Sequence, residues 1–153
     1  MGLLSRYPID SFRAEIPVEK ALPFLRATVS VDGRELDLLI VHAMPPQRGA
    51  GLRPPTFTSF AAAVDRERPT LLLGDLNATS YSPSFGRLLD ATSLRDSRRG
   101  FGRQPTWAPP RWPLPIGIAI DHVLHSDHFQ VTDRFVGADI GSDHRPVVAH
   151  LHW

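Results

Sequence analysis

Cysteine is absent from the 153 residues, which excludes a disulfide framework, a thiolate metal site and a cysteine nucleophile. Its absence leaves the redox compartment open. Also missing is any apolar run approaching the roughly 18 to 20 residues of a membrane span, and the first residues do not read as a signal peptide. There is no Gly-x-Ser-x-Gly elbow and no glycine-rich phosphate loop. Overall excess charge is lacking too, since the formal net charge is +1. What remains is a chain with an ordinary apolar fraction of 42%, long enough for one domain with a sizeable core.

The near-zero net charge hides an uneven distribution. Between Ala91 and Trp112 five arginines (Arg95, Arg98, Arg99, Arg103, Arg111) stand against Asp96 alone, a local charge of +4, so the rest carries −3. Phe101, Trp107 and Trp112 are interleaved with these arginines. Basic and aromatic residues together suit a polyphosphate, nucleic-acid or lipid-headgroup surface, with Arg98, Arg99 and Trp107 as candidate substrate contacts. A solvated, proline-rich loop whose tryptophans tuck into the core is the alternative.

Periodicity predicts interspersed strands and helices. "FLRATVSVDGRELDLLIVHA" reads as a hairpin about Asp32-Gly33. Its second run, Leu36 to Val41, is apolar enough for a central strand covered on both faces. A Pro/Gly loop follows over 43–55, then a helix over Thr56–Glu67. "PTLLLGD" is a short buried strand, and Ser82-Pro83 opens a second helix as N-cap and first helical residue. After an irregular stretch from Arg95 to Pro115, "IGIAIDHVLHS" and "FQVTDRFVGAD" read as two adjacent strands, and Pro146 to Leu151 as the last. This pattern predicts an α/β or α+β layered domain without repeats or an internal linker.

Four strand ends carry polar residues that apolar strands do not require. "LLLGDLNA" supplies Asp75 and Asn77, two apart and therefore on one face if the strand continues; an Asx turn is the alternative. "IAIDHVLHS" places Asp121 and His122 in an apolar strand, where an ionised carboxylate needs a partner. "LLIVHAMPP" ends on His42, and "GSDHRPVVAHL" sets Asp143 and His144 at the mouth of a strand. Sites in layered α/β proteins gather at strand ends. Histidines, aspartates and an asparagine suit metal-assisted attack of water on a phosphoester, with a hard cation such as Mg²⁺ taking oxygen ligands.

"GLLSRYPI", "LLIVHAMPP", "LLLGDLNATSYSP", "AIDHVLHS" and "GSDHRPVVAHL", in this order, resemble the endonuclease/exonuclease/phosphatase superfamily with its DNase I-like fold, a layered β-sandwich flanked by helices. The resemblance covers nearly the whole chain. It implies that His42 touches the scissile phosphate and that Asp75 orients or deprotonates the attacking water. Asn77 would hold phosphate or metal, and Asp121 would fix the tautomer of the essential histidine, His144. Asp143 would lie near the metal, Mg²⁺ or Mn²⁺, with Asp75 and Asn77 as further ligands. The substrate would be a phosphoester: nucleic acid, a phospholipid headgroup or an inositol phosphate. Similar bacterial proteins are often carried on membrane-anchored chains with the catalytic domain outside.

One departure accompanies the resemblance. The family's early asparagine and its metal-binding glutamate precede the "GLLSRYPI" stretch, which here begins at residue 2; Glu15 and Glu19 come after it and do not match. The chain thus resembles the C-terminal two-thirds of a single domain, 1–153. Two expectations follow: a divalent-metal phosphoester hydrolase impaired as an isolated chain, or a non-catalytic remnant that binds phosphorylated ligands or a protein partner. An inner sheet edge would be left open to the missing segment or to a second chain. A serine hydrolase reading has only Ser142 in its favour.

Overall fold

The computed structural model of the protein describes residues 1–108 and 117–153. Its elements, in chain order, are β1 (Ile9–Glu15), β2 (Phe24–Val31), β3 (Arg34–His42), α1 (Pro46–Gly49), a 3₁₀ turn (Ala50–Leu52) and α2 (Arg53–Ala62). There follow β4 (Thr70–Asp75), α3 (Pro83–Thr92), β5 (Arg95–Asp96), β6 (Asp121–His125), β7 (Gln130–Val136) and β8 (Val147–His152). A six-stranded sheet runs β1-β2-β3-β4-β6-β5, and β7 pairs with β8 in a separate two-stranded sheet.

The hairpin forms where the sequence predicts it. Asp32 and Gly33 both take positive φ, 50° and 80°, the backbone of a tight turn matched to strand twist. The β3–β4 pair is parallel, so the chain must cross over between them, and α1 and α2 make the crossover. The predicted loop over 43–55 is therefore helical from Pro46 onward, and the helix predicted over 56–67 is Arg53–Ala62. Proline is compatible with a helix's first turn because no intrahelical partner awaits its missing N–H; Pro46, Pro54 and Pro55 all stand there. Ser82 and Pro83 open α3 as predicted, although Ser82 makes no side-chain cap bond.

Strand alternation divides the core into two layers. Leu39, Val41, Leu72 and Leu124 face α2 and α3, packing with Phe57, Phe60, Phe85 and Leu88. Ala27, Val29, Leu36 and Leu38 face the other way, with Phe129 buried beside them and Leu151 of β8 packed against them. Helices, large sheet and small sheet thus form the layered α/β arrangement expected. The two strands that looked adjacent, β6 and β7, are in different sheets. The site lies where β3 and β4 end and β6 begins. Among the described residues no helix is long and apolar enough to cross a membrane.

Candidate active site

Three polar residues stand in one row across three strands. In the ladder His42 is the partner of Asp75, and Asp75 is the partner of Asp121. Because β3 and β4 are parallel and β6 is antiparallel to β4, two strand ends and one strand start coincide. His42 follows Leu36, Leu38 and Ile40 at every second position, so the row faces the small sheet. His122 points oppositely, into the helix-side core, where its ring lies 4.5 Å from that of Phe85 and its Nε2 is 2.8 Å from the Ala78 carbonyl. Burial lowers its pKa despite that bond and the nearby Asp96.

β4 reaches the row through Gly74. Its φ is +135°, and a Cβ there would lie 2.0 Å from the Val41 carbonyl oxygen. Beyond Asp75 the strand ends, so Asn77 does not continue its face. Instead Asn77 takes a left-handed φ of 46° and folds back in an Asx turn. Its backbone N–H donates to Asp75 Oδ1 at 2.7 Å and its side-chain Nδ2 to Oδ2 at 2.8 Å. Nδ2 also donates to the Ala43 carbonyl at 2.9 Å, fastening the loop after Asp75 to the one after His42. The turn and the site are therefore one feature.

The segment leading into β8 contributes His144. Its Nδ1 lies 2.9 Å from Asp121 Oδ2, the bond the sequence predicts. Donor atoms of Asp75, Asp121 and His144 all lie within 4.8 Å of one another, and His42 Nε2 is 3.5 Å from Asp75 Oδ2. Asp75 is 15% exposed and Asp121 21%, whereas His42 is 45% exposed. Burial raises the Asp75 pKa, and the Asp121 charge raises it further against the opposing pull of the Asn77 N–H and the two histidines. For His144, burial by itself lowers the pKa, but the Asp121 bond and the charges of Asp121, Asp75 and Asp143 outweigh it and the net shift is upward.

The remaining predicted residues are arranged differently. Asp143 is exposed and accepts a bond from Trp107 Nε1 at 3.2 Å; it is outside the converging group of Asp75, Asp121 and His144. Trp107, Asp143, Ser142 and Arg145 line a cleft of about 560 Å³. Arg98 is turned inward, donating to Ser80 Oγ at 2.6 Å and standing 3.8 Å from the buried Asp96 carboxylate. Arg99 is exposed, and its backbone N–H donates to the Asp96 carbonyl at 3.1 Å. Arg111 and Trp112 lie outside the described residues.

Two residues escaped the sequence reading. Thr106, 1% exposed, donates to Asp121 Oδ2 at 2.5 Å. Arg53 opens α2, stacks over Phe57 at 5.2 Å and donates to the Met44 carbonyl at 2.8 Å and the Leu76 carbonyl at 3.5 Å. It thereby ties the loop after His42 to the loop after Asp75. A threonine in an irregular stretch and an arginine between prolines carry no periodic signal.

A layered α/β fold of this kind recurs widely among solved structures. A protein from Beutenbergia cavernae described as endonuclease/exonuclease/phosphatase superposes with a TM-score of 0.79 at 22% identity, over 96% of this chain and 46% of its own. The sphingomyelinase C of Streptomyces griseocarneus gives 0.60 at 18%, over 95% and 65%. A mannosyl-6-phosphatase from Bacteroides thetaiotaomicron gives 0.69 at 17%, over 96% and 67%. This chain thus spans from about half to two-thirds of the length of these structures. The sequence pattern of the Endonuclease/Exonuclease/phosphatase family matches residues 1–144, and the chain belongs to that family. No curated protein sequence matches it.

Proposed function

We propose that the chain is a divalent-metal-dependent phosphoester hydrolase module acting on a phosphodiester or phosphomonoester, with nucleic acid, a phospholipid headgroup or an inositol phosphate as the substrate classes. The observation that carries this reading is the convergence of Asp75, Asp121 and His144 within 4.8 Å, with Asp121 bonded to His144. Membership of the family supports it.

The donor set fits a hard cation. Carboxylate oxygens of Asp75 and Asp121 converge without any soft ligand, and Mg²⁺ or Mn²⁺ is usually held by one or two carboxylates while keeping several waters. Asp75, with Asp121 beside it, is the residue of the expected ligand set that lies in this group; Asn77 Nδ2 is turned to Asp75 and the Ala43 carbonyl, and Asp143 to Trp107. When bound, such an ion neutralises charge on phosphoryl oxygens. The side chains have roles of their own. Asp75, whose raised pKa increases its proton affinity, takes a proton from the attacking water. Asn77 holds that carboxylate in orientation through two bonds. Asp121 accepts the Nδ1 proton of His144, leaving Nε2 to face a phosphoryl oxygen, and stabilises the imidazolium. His42 approaches the same phosphate, while Trp107 and Arg99 contact the rest of the substrate.

A second reading, a non-catalytic module that binds phosphorylated ligands or a protein partner, draws on the two-stranded small sheet, whose outer edges have no partner among the described residues. On the first reading, a longer chain or a second one seated at that edge raises an activity that is low for residues 1–153 alone. The test is hydrolysis of bis(p-nitrophenyl) phosphate with Mg²⁺ or Mn²⁺, with EDTA, and with His144→Ala. Turnover lost with EDTA and reduced about 10²- to 10⁴-fold by the substitution is expected. Binding of a phosphorylated ligand without metal-dependent turnover, in this chain and in one extended upstream, would leave the second reading.

A further inference from the structure

Asp121 opens β6 of the large sheet and His144 lies three residues before β8 of the small one, and among the described residues no strand ladder joins the two sheets. Two adjacent residues, Thr106 and Trp107, reach both sides. The Thr106 backbone N–H donates to the Ile118 carbonyl at 3.0 Å, beside β6, and its carbonyl accepts from the Arg145 N–H at 2.7 Å, beside β8. Next to it, Trp107 bridges to both Ile118 and His144. The Thr106 hydroxyl then completes the connection. A hydroxyl has one proton and two acceptor positions. Here Ile120 N–H and Asp121 N–H both donate to Oγ1, each at 3.2 Å. With its lone pairs occupied, the hydroxyl proton has one remaining direction, toward Asp121 Oδ2 at 2.5 Å. That oxygen is the one His144 Nδ1 meets at 2.9 Å.

We infer that Thr106 is a positioning residue: its hydroxyl locks the Asp121 carboxylate so that one oxygen faces Nδ1 of His144, selecting the Nδ1–H tautomer and keeping Nε2 available to substrate. This inference rests on the hydrolase reading above for its consequence but not for its geometry. Being buried, Thr106 touches no substrate; it acts through Asp121. An unanchored carboxylate at this position turns about its side-chain bonds, because among the described residues only His144 and Thr106 bond that oxygen.

The test compares Thr106→Val, nearly isosteric but without the hydroxyl, with Thr106→Ser, which keeps it. ¹⁵N shifts of the His144 ring are read in metal-free protein at a pH where the ring is neutral. In the unsubstituted chain and in Thr106→Ser the Nδ1–H form is expected to predominate. In Thr106→Val the Nε2–H form should rise from minor to major species. Should the valine variant fail to fold, Thr106→Cys, whose thiol fits but donates weakly, carries the same comparison against serine. Unchanged tautomer populations in the valine or cysteine variant, or an equal change in Thr106→Ser, would overturn the inference. Where the chain or an extended form turns over phosphodiester, Thr106→Val should lower kcat about tenfold with KM little changed, and Thr106→Ser should stay within about twofold of the unsubstituted chain. Failure of hydrolysis throughout would count against the hydrolase reading alone, since the ring signals need no turnover.

Discussion

His144 stands between opposed influences, burial on one side and three carboxylates on the other, and the carboxylates win. A histidine whose folded pKa lies above its ordinary 6.5 binds its proton more tightly in the folded chain. Its contribution to stability is therefore complete below the unfolded value and is lost as pH rises through the folded one. Asp75 acts with the same sign, since its carboxyl is also raised by burial: stability declines as pH climbs above about 3.8 toward its folded value. The site should thus be more stable protonated than at its working charge. Melting curves between about pH 6 and 9 should show the unsubstituted chain losing stability relative to His144→Gln. Parallel curves would mean that the Asp121 contact does not hold the proton. The two neighbouring arginines should separate equally clearly. Arg98 compensates the buried Asp96 and is bonded to Ser80, so Arg98→Ala should cost about 1 to 3 kcal/mol of stability. Arg99→Ala should leave stability nearly unchanged and flatten the salt dependence of binding to an anionic polymer. The sequence presents both only as members of one basic run, because which guanidinium turns inward depends on Asp96 and Ser80 meeting in space.

At the scale of elements, the row of His42, Asp75 and Asp121 exists because β3, β4 and β6 stop or start at the same level. Gly74 permits the close approach of β4 to β3 just below that level. Replacing it with alanine demands both a φ of +135° that side chains avoid and a Cβ against backbone that cannot move away. Gly74→Ala should therefore destabilise by roughly 3 to 5 kcal/mol, read as a lower denaturant midpoint; a loss under about 1 kcal/mol would mean that β4 can shift without disturbing Asp75. Other elements declare themselves more openly. Asp32-Gly33 is legible because the turn chemistry is local, and Ser82-Pro83 for the same reason. Of the helical run from Pro46 to Ala62 only the part from Thr56 is legible; Pro46 to Pro55 is not, since prolines and glycines punctuate it and only the parallel β3–β4 crossover requires it. Sheet membership of β7 is likewise hidden: short apolar strands look alike, and Phe129 and Leu151 find their places only against the far face of β3.

For the whole molecule, the two layers are unequal. The large sheet has six strands and the small one two, and Phe135 and Trp153 of the small sheet's region are 43% and 37% exposed. Unpaired edges beside exposed apolar side chains favour pairing with another chain. Sedimentation should show concentration-dependent self-association; a monomer at all concentrations would mean that these edges are closed by other means. The same layering explains the division between what is written in the sequence and what is not. Sequence alone determines the polar residues at the strand ends, their order and the family, because each is carried by short runs of residues in fixed spacing; the pairing of Asp121 with His144 is what the family resemblance implies, and the fold brings it about. Only the tertiary structure decides that Asp143 turns to Trp107, that Arg98 turns inward, and that Thr106 joins the sheets. Those outcomes depend on which segments, far apart in the chain, pack within hydrogen-bonding reach once two apolar layers close on each other.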